Sequence, residues 1–435
     1  MKRSSATSSA PPGLYRATNS AWLALIVGLS FSMPVVGNDA ATPPSQFNGW
    51  RQQDDVRAAL LDGRPSVDIR YRFEHVSQDG LVRDANANTV RTRLGYATGP
   101  LFGFHAMIEA ENVAHIGAAR FNDTVNRNIQ FPVVADPDDT GLNQYWIAST
   151  HLPGTEAKLG RQKITFDNHR FVGNVGFRQN EQTFDALRVS TGFLSDVSVD
   201  YAFLYLVDRL FGEDSPVGDF ETNSHLIRAA HRISGVGLLT GYAYLLDFDE
   251  APGLSSKSFG ARLKGRHQFS EDWSALYATE IAWQSDYGNN PNSDSFWYYL
   301  VEPGLSYQVS SVAIGYEVLE GNGRRAFQTP LATLHAFQGA ADIFLTTPVD
   351  GIEDLYLRLR HALTGPQWLT GTRLSATLHR FAAERGSRHY GDEIDVEITY
   401  PLHDRVSLAL KGAVYDAARF GRDTEKLWFS VTLTY

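Results

Sequence analysis

The sequence predicts an all-β chain: a transmembrane antiparallel β-barrel of about 18 strands, with short periplasmic turns and long extracellular loops. Three observations predict it. Segments of ~9–12 residues alternate apolar and polar residues at period two through most of the chain. The connections between them alternate long and short. The chain opens on an export signal and closes on an apolar strand ending in an aromatic residue.

Composition narrows the class first. The chain has 435 residues, no cysteine and a net charge of −10. No disulfide framework, thiolate metal site or cysteine nucleophile is available. The acidic balance argues against nucleic acid as a partner, since phosphate neutralisation needs surplus Lys and Arg. A mean hydropathy of −0.26 excludes a bundle of membrane helices, and 37 glycines with 12% aromatics suggest strands and turns.

Residues 1–37 read as a cleaved signal peptide. Lys2, Arg3 and Arg16 precede the apolar run Ala21–Phe31, and cleavage is expected after Gly37 or within Asn38–Ala41. The run is too short for a membrane anchor, and Pro34 follows it. Cleavage takes the charge to 36 − 49 = −13. Residues 38–65 form a short periplasmic segment, in which Arg51–Leu61 can form a small helix. Residues 66–435 form the barrel.

The strands follow in order. Ser66–Val76 sets Val67, Ile69, Tyr71 and Phe73 against Asp68, Arg70, Arg72 and Glu74. Thr89–Ala97 sets Val90, Leu94 and Tyr96 against Arg91 and Arg93. Val197–Val207, Ile394–Tyr400 and Leu427–Tyr435 alternate in the same way. Long connections are read at Gln78–Asn88, Gly117–Gly141, Asp167–Gln182, Arg209–Asn223, Asp247–Ser256, Ser285–Ser295, Glu320–Gly351, Ala383–Asp392 and Asp416–Thr424. Short turns lie between them, from Thr98-Gly99-Pro100 and Leu152-Pro153-Gly154 to Thr364–Gln367 and Pro401–Arg405. A bilayer explains the regularity. Strands of ~9–11 tilted residues cross it, and only a closed sheet pairs every backbone group there. A soluble sandwich or propeller needs no such alternation of connections, and no blade-length repeat is present. Tyr96, Trp146, Phe166, Tyr287, Trp297, Tyr298, Trp368, Tyr415 and Trp428 lie near strand ends, as two interfacial girdles require. The final strand ending at Tyr435 resembles the signal read by outer-membrane assembly machinery.

If apolar residues face lipid, the opposite parity faces the lumen. That parity collects Arg70, Arg72, Arg91, Arg93, Arg228, Arg232, Arg262, Lys264, Arg358, Arg360 and Arg373. Acidic residues there include Asp68, Glu109, Glu280, Asp395 and Glu397. A surplus of arginine raises the local anion concentration in a narrow polar conduit and grips carboxylates. The bland reading is that these arginines pair with acids on neighbouring strands. Loop residues Asp136, Asp138, Asp139 and Glu213 carry the surplus acid.

Two stretches are distinctive: Leu159–Ala186, with Gly160-Arg161-Gln162 running into Arg170-Phe171-Val172-Gly173, and Phe327–Asp342. Both resemble the outer-membrane alginate-export family, over about Ser66–Tyr435. The resemblance implies a monomeric eighteen-stranded barrel whose arginine-rich pore passes anionic polysaccharide. Read from their residues, these are outer loops three and seven. Arg161, Lys163, Arg170 and Arg178 stand with Asn168, Asn174, Gln179 and Asn180. Guanidinium and amide donors suit hydroxyl and carboxylate recognition, or folding of the loop into the lumen. The alternative is that they pin the loop to the wall.

No catalytic residue, metal or cofactor is expected. There is no G-x-S-x-G elbow and no H-E-x-x-H pair, and Asp136-Pro137-Asp138-Asp139 reads as a solvated loop rather than a calcium site. The expected partners are outer-membrane lipid and an anionic or neutral saccharide or small solute. The expected function is passive transport by a porin-like channel in a Gram-negative outer membrane. The rival is a structural or receptor-type barrel with a loop-closed lumen.

Overall fold

The structure is a computed structural model that describes residues 54–194 and 196–435; the expected signal peptide lies outside them. Eighteen strands form one closed antiparallel sheet. They are β1 (Arg64–Gln78), β2 (Ala85–Ala97), β3 (Phe104–His115), β4 (Asp139–Ser149), β5 (Thr155–Gln162), β6 (Thr183–Leu194), β7 (Val197–Asp208), β8 (Asp219–Ile233) and β9 (Gly237–Leu246), followed by β10 (Ser256–Gln268), β11 (Trp273–Asp286), β12 (Ser295–Tyr307), β13 (Ser310–Leu319), β14 (Ile352–Ala362), β15 (Arg373–Ala382), β16 (His389–His403), β17 (Val406–Ala417) and β18 (Thr424–Thr434). Each strand pairs with its sequence neighbours, and β1 also pairs with β18. The last residue completes the seam: Tyr435 N–H donates to the Val67 carbonyl at 2.8 Å, and Val67 N–H returns the bond at 3.0 Å. Closure leaves no unpaired edge, which a strand in lipid requires.

The pleat sorts side chains by parity. Leu94, Ile108, Ile147, Leu159, Ile281, Leu355 and Val414 face outward and are about half exposed or more. Arg72, Arg91, Glu280 and Glu393 face inward and are buried. An apolar exterior around a polar interior inverts a soluble protein and matches a barrel in lipid. One α-helix, α1 (Val56–Leu61), precedes β1, and the Asp55 carboxylate caps it by accepting from Ala58 N–H at 3.1 Å.

Several boundaries differ from expectation. The first loop shrinks to 79–84, because Asn86 and Asn88 satisfy their amides inside the sheet against His75 and Tyr71. Loop three starts at 163, since Ile164 and Phe166 leave the wall and turn into the lumen. Loop seven, by contrast, runs 320–351 as expected. The aromatic assignments split. Trp297 is exposed on β12, and Trp368 is exposed in the turn between β14 and β15. Phe166, Tyr298, Tyr415 and Trp428 instead belong to an apolar core inside the barrel.

That core is built by loops. Ile164, Phe166, Phe171 and Val172 of loop three meet Phe327, Leu331, Ala340, Ala341 and Phe344 of loop seven. Around them stand wall residues such as Leu204, Tyr242, Tyr244, Phe296, Tyr298 and Phe381. The loops also pair with each other: Gly173 N–H donates to the Leu331 carbonyl at 2.9 Å, and Thr333 N–H to that of His169 at 3.0 Å. Loop two (116–138) folds Phe121, Phe131 and Val134 over Val76, Ala85 and Ala87. Inward-folded loops therefore occupy much of the outer half of the lumen.

Candidate functional site

Arginines fasten loop three from below. Arg70 Nε donates to Gln179 Oε1 at 2.8 Å, Nη1 to the Gly176 carbonyl at 2.9 Å, and Nη2 to the Arg178 carbonyl. A guanidinium forks across several carbonyls as an ammonium cannot. Arg72 lies 4.3 Å above the Phe177 ring and 3.8 Å from Asp136. Arg91 pairs with Asp68, and Arg93 with Glu111 and, at 3.0 Å, with Glu181. Lys163 Nζ reaches Glu181 at 2.5 Å and Glu109 at 3.5 Å. Burial raises the Glu181 carboxyl, but Arg93 and Lys163 outweigh it and hold the group down to about 2.

Two predicted pore arginines are engaged by protein carboxylates. Arg170 is buried and bonds Glu317 at 2.8 Å and Thr329 at 2.9 Å, with the Phe337 ring 4.8 Å away. Arg178 is buried among Glu74 at 3.0 Å, Asp342 at 2.9 Å and Asp136 at 3.8 Å. Both tie loops to wall and to each other, so their donors are turned toward protein carboxylates. Arg161 is a correction of a different kind. It shares the outward parity of Leu159 and pairs with Asp185 at 2.9 Å and Asp208 at 2.5 Å, on the outer face of the wall. A GRQ strand seen without its register gives no sign of which side Arg161 takes. Asp136 is also corrected: it is fully buried and accepts from Gln179 N–H at 2.7 Å, so it anchors loop two rather than meeting solvent.

The remaining cations line open space on the periplasmic side of the loops. A cavity of about 710 Å³ is lined by Arg188, Arg228, Arg232, Arg262, Lys264 and Arg266, with Asp167 and Asp200 as its acids. Arg228 is held by Asp167 at 2.8 Å and Asp200 at 3.3 Å, and Arg262 by Glu280 at 2.7 Å. A neighbouring cavity of about 530 Å³ shares Asn168, Arg262 and Lys264 with the first and adds Arg358, Arg360 and Lys411. There the acids Glu302, Glu317, Asp354, Asp395 and Glu397 match the bases in number. Arg358 bonds Glu302 at 2.8 Å, and Arg360 makes no ion pair or side-chain hydrogen bond among the described residues. Arg373 shares the inward parity of His379 but is exposed at the periplasmic end of β15.

Above the loops an outer vestibule of about 660 Å³ is lined by Arg178, Arg209, Arg422 and Lys426, with Asp342 as its acid. His335 is the one residue shared by this vestibule and the 530 Å³ cavity below. Its ring stacks on Phe177 at 3.5 Å. Burial pushes the imidazole down to about 3, against the pull of Asp342. The sequence marks His335 as one of the polar residues of loop seven and Asp342 only as the end of that stretch, and it does not join the two. Lone loop residues carry no periodicity, so no signal paired them.

Loop seven is fastened in the opposite chemical sense to loop three. Its amides donate to wall carboxylates: Ala341 N–H to Glu393 at 2.7 Å and Ala340 N–H to Asp395 at 3.2 Å.

No family model matches the sequence, including any for alginate export, and no curated protein matches it. Solved structures do match its shape. OpdL of Pseudomonas aeruginosa superposes with a TM-score of 0.67 at 15% identity, covering 86% of this chain and 99% of that one. OpdK of the same organism, an outer membrane protein solved with vanillate, gives 0.68 at 12% identity, covering 86% and 99%. OccAB4 of Acinetobacter baumannii gives 0.67 at 11% identity, covering 86% and 98%. The chain thus has the eighteen-stranded barrel fold of these proteins.

Proposed function

We propose that the protein is a passive channel in a Gram-negative outer membrane, selective for small anionic solutes, with carboxylates as the principal class. The observation that carries this reading is the 710 Å³ cavity, where six basic side chains meet two acidic ones. A surplus of fixed positive charge in a low-dielectric wall concentrates anions there. The chain's net charge of −10 has the other sign, so the surplus is local. OpdK was solved with vanillate, a small aromatic carboxylate, and the cavities here suit solutes of that order of size. Polysaccharide export fits less well, because loops three and seven pack an apolar core across the lumen. The terminal strand, paired to β1 through Tyr435, is the segment an assembly machinery would read.

The loop-built core favours a second reading, a barrel closed by its own loops with no transport role. Planar bilayers separate the two. Under a salt gradient the channel reading expects a reversal potential set by the anion. A cation-selective current overturns it, and no current supports the closed barrel.

A further inference from the structure

The floor of the outer vestibule already holds a carboxylate, and it belongs to the protein. Asp342 of loop seven accepts from three donors contributed by three parts of the chain. Arg178 Nη2 and Lys426 Nζ each reach Oδ2 at 2.9 Å, and His335 Nδ1 reaches Oδ1 at 2.7 Å. Lys411 Nζ lies 2.7 Å from His335 Nε2. An ammonium can only donate, so Nε2 accepts and Nδ1 carries the hydrogen toward Asp342. Four features distinguish this cluster from an ordinary structural ion pair.

It faces a cavity, since Asp342 and all three of its donors line the 660 Å³ vestibule. Asp342 is the sole acid among the lining residues, opposed by Arg178, Lys426, Arg209 and Arg422. Its backbone sits at φ +61°, the left-handed region that a non-glycine residue adopts at a cost. Two of the donors are also held independently of it: Arg178 keeps Glu74 through Nη1 at 3.0 Å, and His335 keeps its stack on Phe177. Removing the Asp342 carboxylate therefore leaves a built, basic, partly desolvated anion site.

We infer that Asp342 is an internal stand-in for the solute, and that Arg178, Lys426 and His335 form the first carboxylate-binding site of the channel. An arriving carboxylate exchanges with the Asp342 side chain, which swings into the wet vestibule and relaxes its backbone. His335 is also the residue shared with the cavity below, so the site borders both cavities through one side chain. This inference deepens the anion-channel reading and rests on it.

The test uses the mature full-length protein in planar bilayers, with succinate added on the loop side and glucose as the neutral control. An internal competitor lowers apparent affinity by the fraction of time it occupies the site. Asp342→Asn is expected to lower the succinate concentration for half-maximal effect by about tenfold, with no change for glucose. Asp342→Glu keeps the competing charge and is expected to stay near wild type. Lys426→Met, which removes a donor, is expected to raise the concentration. If the Asn and Glu variants shift together, Asp342 acts only through loop packing and the inference fails. It fails equally if Asp342→Asn leaves the half-maximal concentration unchanged while the wild type remains anion-selective. Cation selectivity of the wild type overturns both the inference and the channel reading.

Discussion

Arg170 Nε lies 2.8 Å from Glu317 Oε1, joining loop three to β13, and both side chains are buried. Tyr298 and Gln338 complete the carboxylate's partners, and Thr329 takes another guanidinium nitrogen. Removing one member of such a pair strands the other, at about 3–5 kcal/mol. Arg170→Ala is expected to loosen the plug by that order and to raise single-channel conductance. Arg170→Ala with Glu317→Ala is expected to cost less than the sum of the single changes. Additive effects in a denaturant cycle count against the pairing.

Loop three supplies Ile164, Phe166, Phe171 and Val172 to the lumen core, so its removal has a direct readout. Deleting Asp167–Gln182 takes away Phe171 and Val172, along with Arg170 and Arg178. The expected outcome is a clear rise in single-channel conductance. An unchanged conductance means the loop does not narrow the pore.

How much of this was legible follows from what leaves a period in the sequence. The wall was legible because lipid and lumen impose strict alternation: Val90 and Leu94 against Arg91 and Arg93 assign a face unaided. The strand count and loop seven's limits followed from turn spacing, and closure from the need to pair every backbone group in lipid. The lumen core was not legible. Ile164 and Phe166 alternate as strand residues do, yet pack inside, because loop fate depends on partners distant in sequence. Arg170 had the composition of a ligand-binding group, and only its burial against Glu317 of β13 shows otherwise, while nothing in the sequence showed that Arg178 is held by Glu74 of β1 and Asp342 of loop seven. Arg161 shows the limit of motif reading: its strand is short, and one residue of register decides lumen or exterior.

Charge neutralisation is expected to separate the arginines by their partners. Arg360 faces the 530 Å³ cavity without an ion pair, so its charge is available to a passing ion. Arg161 is on the outer face and neutralised by Asp185 and Asp208. Arg360→Gln is expected to move the reversal potential toward the cation value. Arg161→Gln is expected to leave selectivity unchanged and to lower barrel stability. Equal shifts from both variants contradict the assignment of faces.

The apolar exterior predicts a depth-dependent penalty. Ile281 is half exposed on the outer face of β11, opposite Ala261 and Tyr299. Ile281→Lys is expected to cost about 2–4 kcal/mol near the bilayer midplane. Urea unfolding in vesicles measures it. A neutral effect argues that this face does not meet lipid.

Acid is expected to release the loops, and the sign follows from two groups. Glu181 in the docked loop titrates at about 2, since Arg93 and Lys163 overcome its burial. A released loop leaves it near its ordinary value of ~4.3. His335 is pushed down to about 3 by burial, with Lys411 and Arg178 adding to it and Asp342 opposing. Released, it returns to ~6.5. In both cases the released state binds the proton first, so docking is fully stable above about pH 7 and weakens as the pH falls. The His335 contribution is lost between about 6.5 and 3, and that of Glu181 between about 4.3 and 2. Conductance is therefore expected to be flat from pH 8 to 7 and to rise below about pH 6. His335→Gln removes the titrating group and is expected to abolish the upper part of that rise. A conductance that falls on acidification, with the sign of selectivity unchanged, shows instead that protonation tightens the plug.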